Sequence, residues 1–204
     1  MSALIVTGTD TDIGKTIFAA ALAGALGATY WKPIQAGTDG GTDRARVAEL
    51  AACRTLPEAY VLATPCSPHR AAEIDGVKID LDRLRLPTVD GPLVVEGAGG
   101  VLVPITGETL FADQFARWAA PTILVARTAL GTINHSLLSI EALRARGVPI
   151  LGIAFVGDAQ PDSEATIARL GKIRRLGRLP RLDPLTPATL AAAFAADFEL
   201  GDFA

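Results

Sequence analysis

Apolar residues along this chain gather in short dense runs rather than in long stripes. Six of them, ALIVTG (3–8), ATYWK (28–32), PLVVEG (92–97), PTILVAR (121–127), PILGIAFVG (149–157) and RRLGRLP (174–180), are partly β-branched and mostly continuous in hydrophobicity instead of alternating. That is the pattern of strands in a parallel sheet covered on both faces. Between several of them lie helical stretches: GKTIFAAALAGALGA after the first, GTDRARVAELAACR after the second, TLFADQFARWAA before the fourth, and INHSLLSIEALRARG between the fourth and fifth. Strands and helices alternating over crossover-length connections predict right-handed βαβ units and an α/β fold with a doubly wound, mostly parallel sheet. The tail TPATLAAAFAADFEL opens with a Thr-Pro start signal and predicts one more helix against that sheet. Residues 55–92 carry prolines at 57, 65, 68, 87 and 92 and one short helix candidate, DLDRLRL. They read as an irregular excursion within a single domain spanning 1–204.

Composition narrows the class. Half of the 204 residues are hydrophobic, enough for one domain that buries about 70% of its unfolded surface, whereas two domains would each be small. A formal net charge of −3 argues against non-specific nucleic-acid binding, which draws on a basic excess. Cys53 and Cys66 are the only cysteines, and their spacing indicates neither a disulfide framework nor a zinc site. The start MSALIVTG has no basic segment before its apolar run, and no run reaches the roughly 18 residues of a membrane-spanning helix. The expectation is a soluble cytoplasmic protein that meets small molecules, with no nucleic-acid and no membrane partner.

The first strand runs into GTDTDIGKT, Gly8 to Thr16, whose Gly14-Lys15-Thr16 ends a phosphate-binding loop. The usual first glycine of G-x-x-x-x-G-K-[ST] falls on Thr9, and Gly8 stands one residue too early. A chance Gly-Lys-Thr at a helix start is the plain alternative. The strand before it and the apolar helix after it favour a P-loop, in which backbone amides from Asp12 to Thr16 face phosphates, Lys15 adds a charge, and Thr16 offers a hydroxyl to Mg2+. VEGAGG ends the third strand. Glu96 there can serve as a metal-binding acid, and its glycines let backbone amides approach an oxyanion. Lys32 of WKPIQAGT ends the second strand at the same sheet edge, a second cation of the kind phosphoryl transfer needs. His69 and His135 each stand alone, without ligand spacing, and read as packed or hydrogen-bonded side chains.

Together, GTDTDIGKT, KPIQAGT, SPHRAA, VEGAGG and LGTINHSLLSIEALRARG resemble the dethiobiotin synthetases in order and spacing, from about Leu4 to Pro180. The long phosphate loop is itself a family trait. The resemblance implies ATP-dependent closure of a ureido ring: an amine of 7,8-diaminopelargonate captures CO2 as a carbamate, the carbamate takes the γ-phosphoryl group, and the neighbouring amine closes the ring and expels phosphate. By motif position, Lys15 holds the β and γ phosphates of the nucleoside triphosphate, Lys32 neutralises the carbamate and the moving phosphoryl group, and Thr11 meets the amine or carbamate. Thr16, Asp43 of GTDRAR and Glu96 become the Mg2+ ligands, and Gly99 lies beside the substrate. Gly131, Thr132 and Asn134, at a helix start, hold the carboxylate of the substrate's tail in the other subunit, which implies a homodimer with its site at the interface. Leu179 and Pro180 of the G-x-x-P loop, with Gly157, form the base side.

Two positions depart from the family, and a third stretch, IRRLGRLPRLDPL, matches it only at the G-x-x-P loop of Gly177 to Pro180. Ala36 stands where members often carry Ser or Thr before the glycine of KPxxxG, leaving Thr38 as the nearest substitute. Gly157 takes the place of an adenine-reading Asn. The arginines of IRRLGRLPRLDPL lie between 174 and 181 and read as a solvated basic face. A dimeric switch ATPase of the partitioning or septum-positioning class is the alternative, but no lysine occurs between Gly8 and Ile13. A small GTPase lacks its N-K-x-D reader, and a corrin amidotransferring synthetase would need a further domain.

Overall fold

In the computed structural model, which describes residues 3–203, all six predicted strands are present. They are β1 (Ala3–Gly8), β2 (Thr29–Trp31), β6 (Leu93–Gly100), β7 (Thr122–Arg127), β8 (Ile150–Val156) and β9 (Arg175–Leu179). A two-residue strand, β4 (Thr55–Leu56), joins them in a seven-stranded sheet of order β4-β2-β6-β1-β7-β8-β9 in which every pairing is parallel. The predicted mostly parallel, doubly wound sheet is therefore observed. β3 (Ile34–Ala36) and β5 (Tyr60–Leu62) pair separately as a small parallel ribbon.

Residues on successive positions of a strand face opposite sides, and the core divides accordingly. Leu4 and Val6 of β1 and Ile123 and Val125 of β7 pack with helix α1 (Lys15–Leu26), α2 (Asp43–Ala51) and α7 (Pro187–Asp197). Ile5, Leu124 and Ala126 face α4 (Phe111–Trp118), α5 (Thr132–Arg144) and α6 (Pro161–Gly171) on the other side. Helix α1 is apolar all round because α2 and α7 cover its outer side. Thr42 caps α2 by accepting from Ala45 N, and Thr186, followed by Pro187, caps α7 as the Thr-Pro signal predicts.

Residues 55–92 are less irregular than expected. They hold β4, β5 and a helix α3 (Pro68–Ile74) started by Pro68 in its first turn, while DLDRLRL forms only a short 3-10 turn at Leu81–Leu84. Among the described residues no helix is long and apolar enough to cross a membrane.

The strand order dictates where chemistry can gather. β2, β6 and β1 are neighbours, so their C-terminal ends bring Lys32, Glu96 and the phosphate loop side by side. β7, β8 and β9 lie on the opposite side of β1, where the chain order reverses, and ligands of open α/β sheets collect outside the strand ends at such a point.

Candidate active site

The loop between β1 and α1 bends through two left-handed residues, Asp12 at φ 55 and Gly14 at φ 94. Asp tolerates that region better than most side chains. Gly14 has no alternative, because a Cβ there would also meet Val156 Cγ1 of β8 at 2.7 Å. Ile13, 3% exposed, anchors the loop in the core, so only its backbone is left for a ligand. The Lys15 ammonium reaches back over the loop and donates to the Asp10 carbonyl at 2.7 Å, while the Asp10 carboxylate accepts from Thr11 N at 2.8 Å. Asp10 thus serves the loop's own shape.

Glu96, at 1% exposure, is the last residue of β6 before its register with β1 shifts. Its Oε1 accepts from Thr16 Oγ1 at 2.8 Å and from Lys32 Nζ at 3.2 Å, and its Oε2 accepts from Tyr30 at 2.8 Å. Lys32 also pairs with Asp43 Oδ2, so one buried ammonium bridges the two carboxylates. Asp43 is held by its own backbone, whose N–H donates to Gln35 Oε1 at 3.1 Å, while Gln35 Nε2 donates to the Gly37 carbonyl at 2.9 Å.

The two lysines differ electrostatically. Burial brings Lys15 down to about 8, a shift that Glu96 only partly offsets and that the neighbouring Lys32 reinforces. For Lys32 burial also acts downward, but Glu96 and Asp43 outweigh it and raise its pKa. Lys32 is a fixed cation, and Lys15 is one that an arriving anion can recharge.

These groups line a cleft of about 740 Å3, which also includes Thr11, Asp12, Gly99, Gln35, Ala36, Val103 and the segment from Pro65 to Pro68. Gly99 lies beside the Thr11 hydroxyl. The cleft therefore gathers Thr11, Asp12, Gly14, Lys15, Thr16, Lys32, Asp43, Glu96 and Gly99 of the expected set. Thr38 is not among its walls; it heads a turn closed by Gly41 N, and Ala36 itself faces the cleft.

Gly131, Thr132 and Asn134 line a different depression of about 670 Å3, with Thr128, Gln160 and Ser163. The cap of α5 is Gly131 at φ 93, with no side-chain cap bond, and Thr132 is the first helical residue after it. The Thr132 hydroxyl is buried and has no hydrogen-bond partner.

At the far end of the sheet, Gly157 N donates to the Leu179 carbonyl at 2.9 Å, tying β8 to β9. Gly157 adopts φ 131, and a Cβ there would collide with the Thr128 hydroxyl, so no side chain can read a base from this position without displacing Thr128. Pro180 edges a third depression bounded by Arg175, Arg178, Glu164 and Asp197. The predicted solvated basic face is largely an ion-pair clasp. Arg175 bonds Glu164 and Asp197, each at 2.9 Å, Arg178 reaches Glu164 at 3.6 Å and donates to the Gly157 carbonyl at 3.0 Å, and Arg174 pairs with Asp202. Sequence reading missed Tyr30, Gln35 and the Pro65–Pro68 wall. Gln35 and Pro68 lay within the quoted motifs KPIQAGT and SPHRAA, whereas nothing marks Tyr30 inside its apolar run.

Residues 2–189 match a family model described as an AAA domain. The solved structures it resembles include the MinC:MinD cell division complex of Aquifex aeolicus, at TM-score 0.57 and 10% identity over 95% of this chain and 86% of that one, a likeness of fold alone. Sequence similarity goes much further. The chain is 65% identical over 203 residues to the ATP-dependent dethiobiotin synthetase BioD of Rhodopseudomonas palustris strain TIE-1, covering 98% of this chain and 96% of that one. It is 65% identical over 207 residues to the ATP-dependent dethiobiotin synthetase BioD of Novosphingobium aromaticivorans, covering 100% of both. Identity at that level from end to end, over a cleft built on the long phosphate loop, decides the question: the chain belongs to the dethiobiotin synthetase family.

Proposed function

We propose that the protein is a dethiobiotin synthetase, an ATP-dependent ligase that forms the ureido ring from 7,8-diaminopelargonate and CO2 with release of ADP and phosphate. The observation that carries this reading is the convergence of Thr16, Lys32 and Tyr30 on one buried carboxylate beside the phosphate loop, with Asp43 bound to the same lysine. A site for nucleotide binding alone has no need of that second ammonium.

Lys15 and the backbone of Asp12 to Thr16 hold the β and γ phosphates, an anion cradle formed by left-handed turns and a helix N-terminus. One amine of the diamine, near Thr11 and Gly99, takes up CO2 as a carbamate. A carbamate oxygen attacks the γ-phosphorus, ADP leaves, and Lys32 neutralises the charge on the carbamate and the moving phosphoryl group. The second amine then attacks the carbonyl carbon of the mixed anhydride and expels phosphate. Transfer of this kind depends on alignment and charge neutralisation, and two buried cations provide the second.

The oxygens of Thr16, Asp43 and Glu96 fit Mg2+. They are hard donors on the walls of one cleft, and Mg2+ ordinarily takes one or two carboxylates and completes its shell with water and phosphate. Among the described residues no cluster of three His, Cys, Asp or Glu forms a complete protein cage. Mg2+ held by these residues would supply positive charge to offset that of the phosphates.

Gly131, Thr132 and Asn134 stand apart from the cleft, and the unpartnered Thr132 hydroxyl suits a carboxylate acceptor. We assign them to the substrate's tail in the opposite subunit of a cytoplasmic homodimer. Leu130, Leu138 and Leu102, at 101%, 56% and 49% exposure, leave apolar surface available for that pairing. Gly157, Leu179 and Pro180 form the base side.

The direct test mixes protein, bicarbonate, Mg2+, diaminopelargonate and each nucleoside triphosphate in turn, then measures phosphate and cyclic urea. Phosphate release that ignores the diamine with every triphosphate overturns the ligase reading. The interface is tested by mixing Lys15→Ala and Asn134→Ala chains. A symmetric dimer with shared sites recovers about a quarter of the activity, one intact site in half of the dimers, and a site confined to one chain recovers none.

A further inference from the structure

The two oxygens of Glu96 have different surroundings. Oε1 meets Thr16 and Lys32, both of which line the cleft. Oε2 accepts only from the phenol of Tyr30, which is fully buried and comes from the core beneath the cleft rather than from its wall. The register explains the meeting. Tyr30 pairs with Val94 across β2 and β6, and Glu96 lies two residues further along β6, on the same face. The Tyr30 ring belongs to the hydrophobic cluster that includes Leu4, Val47 and Val94. A phenylalanine would fill the ring's place without the cost of burying a hydroxyl, so the hydroxyl is explained by the carboxylate it serves.

We infer that Tyr30 is a positioning residue, which commits Glu96 Oε2 to the core and presents Oε1 alone to a cation in the cleft. The terminal torsion of a Glu side chain is soft, and without the phenol the carboxylate is free to turn or to offer both oxygens. The inference rests on the reading of Glu96 as the metal-facing acid.

The test reads metal binding directly. Mn2+ serves as the probe, titrated by electron paramagnetic resonance in the presence of ADP, and ADP affinity without metal is measured in parallel, for wild type, Tyr30→Phe, Tyr30→Leu and Glu96→Gln. Losing an outer partner of a metal ligand weakens metal binding by about 10–100-fold. Tyr30→Phe is expected to lose about tenfold in Mn2+ affinity on that scale, with metal-free ADP affinity unchanged. Tyr30→Leu, which removes the ring as well, is expected to melt earlier yet bind Mn2+ no worse than Tyr30→Phe. If Glu96→Gln loses Mn2+ while Tyr30→Phe binds it as wild type does, the Tyr30 assignment is overturned and the Glu96 reading stands. If Glu96→Gln binds Mn2+ normally, the Glu96 reading fails and takes the inference with it. A Tyr30→Phe protein that is unfolded at 25 °C, or that loses ADP equally with and without metal, shows a packing role and also overturns the assignment.

Discussion

The two halves of the sheet use charge in opposite ways. At the ends of β2, β6 and β1, lysines and carboxylates are nearly sealed from solvent: Lys15, Lys32 and Glu96 are 6%, 4% and 1% exposed, and they surround a cleft. Along β9, at the other edge of the sheet, Arg175 and Arg178 are 36% and 22% exposed along their side chains and are tied to Glu164 and Asp197. The first half concentrates buried charge around the cleft. The second uses charge as a clasp that fixes backbone, including the Gly157 carbonyl. Buried charges that converge on one carboxylate at a cleft mark a candidate site; partly solvated charges paired with their neighbours mark structure.

The sharpest way to break that contrast is to remove one charge from each half. Lys15→Ala and Lys32→Ala are expected to stay folded and to lose diamine-dependent phosphate release by about 10^3-fold, the scale for removing a group that stabilises developing charge. Lys32→Ala should fold because Glu96 keeps its bonds to Thr16 and Tyr30. Retention of ring closure by either variant contradicts the roles assigned.

A second effect follows from the Lys15 pKa of about 8, set by burial among Glu96, Lys32, Asp43 and Asp12. Below pH 7 Lys15 is charged already. At pH 9 it is mostly neutral, and binding a triphosphate restores its proton. Nucleotide binding should therefore take up a proton at pH 9 and little at pH 6, and affinity should fall by up to about tenfold per unit as pH rises beyond 8. Calorimetry in two buffers of different ionisation enthalpy measures the uptake, and equal heats at pH 9 would contradict it.

The base side should show the reverse signature. Glu164→Ala removes a buried acceptor shared by Arg175, Arg178 and Gln160 N. Because the arginines are partly solvated, the expected cost is about 2 kcal/mol rather than the larger penalty of a fully buried pair. That lowers Tm by about 4–8 °C for a chain of this length, with kcat little changed. Gly157→Ala is milder, about 1–2 kcal/mol for a side chain forced to positive φ, and a Thr128→Ala partner substitution should recover part of it. A thermal unfolding series on the single and double variants checks both.

How much of this was legible follows the same division. The long strands show themselves because strands covered on both faces need unbroken apolar runs, and the phosphate loop, Lys32 and Glu96 were readable because each follows such a run. β3, β4 and β5 are two or three residues long and carry no periodicity. Helices α3 and α6 each begin at a proline, which reads as a breaker unless it is placed in a helix's first turn. The arginine clasp was hidden because its acids, Glu164, Asp197 and Asp202, lie 10 or more residues away. Tyr30 was hidden because only the β2–β6 register brings it to Glu96.

The central claim is that one cleft couples carbamate formation to phosphoryl transfer. Its most direct test supplies 13C-bicarbonate with ATP, Mg2+ and diaminopelargonate, and follows label and phosphate together. The expected result is one 13C at the ureido carbonyl and one phosphate for each ring formed, with phosphate release negligible until the diamine is added. Unlabelled product, or steady phosphate release without the diamine, would contradict it.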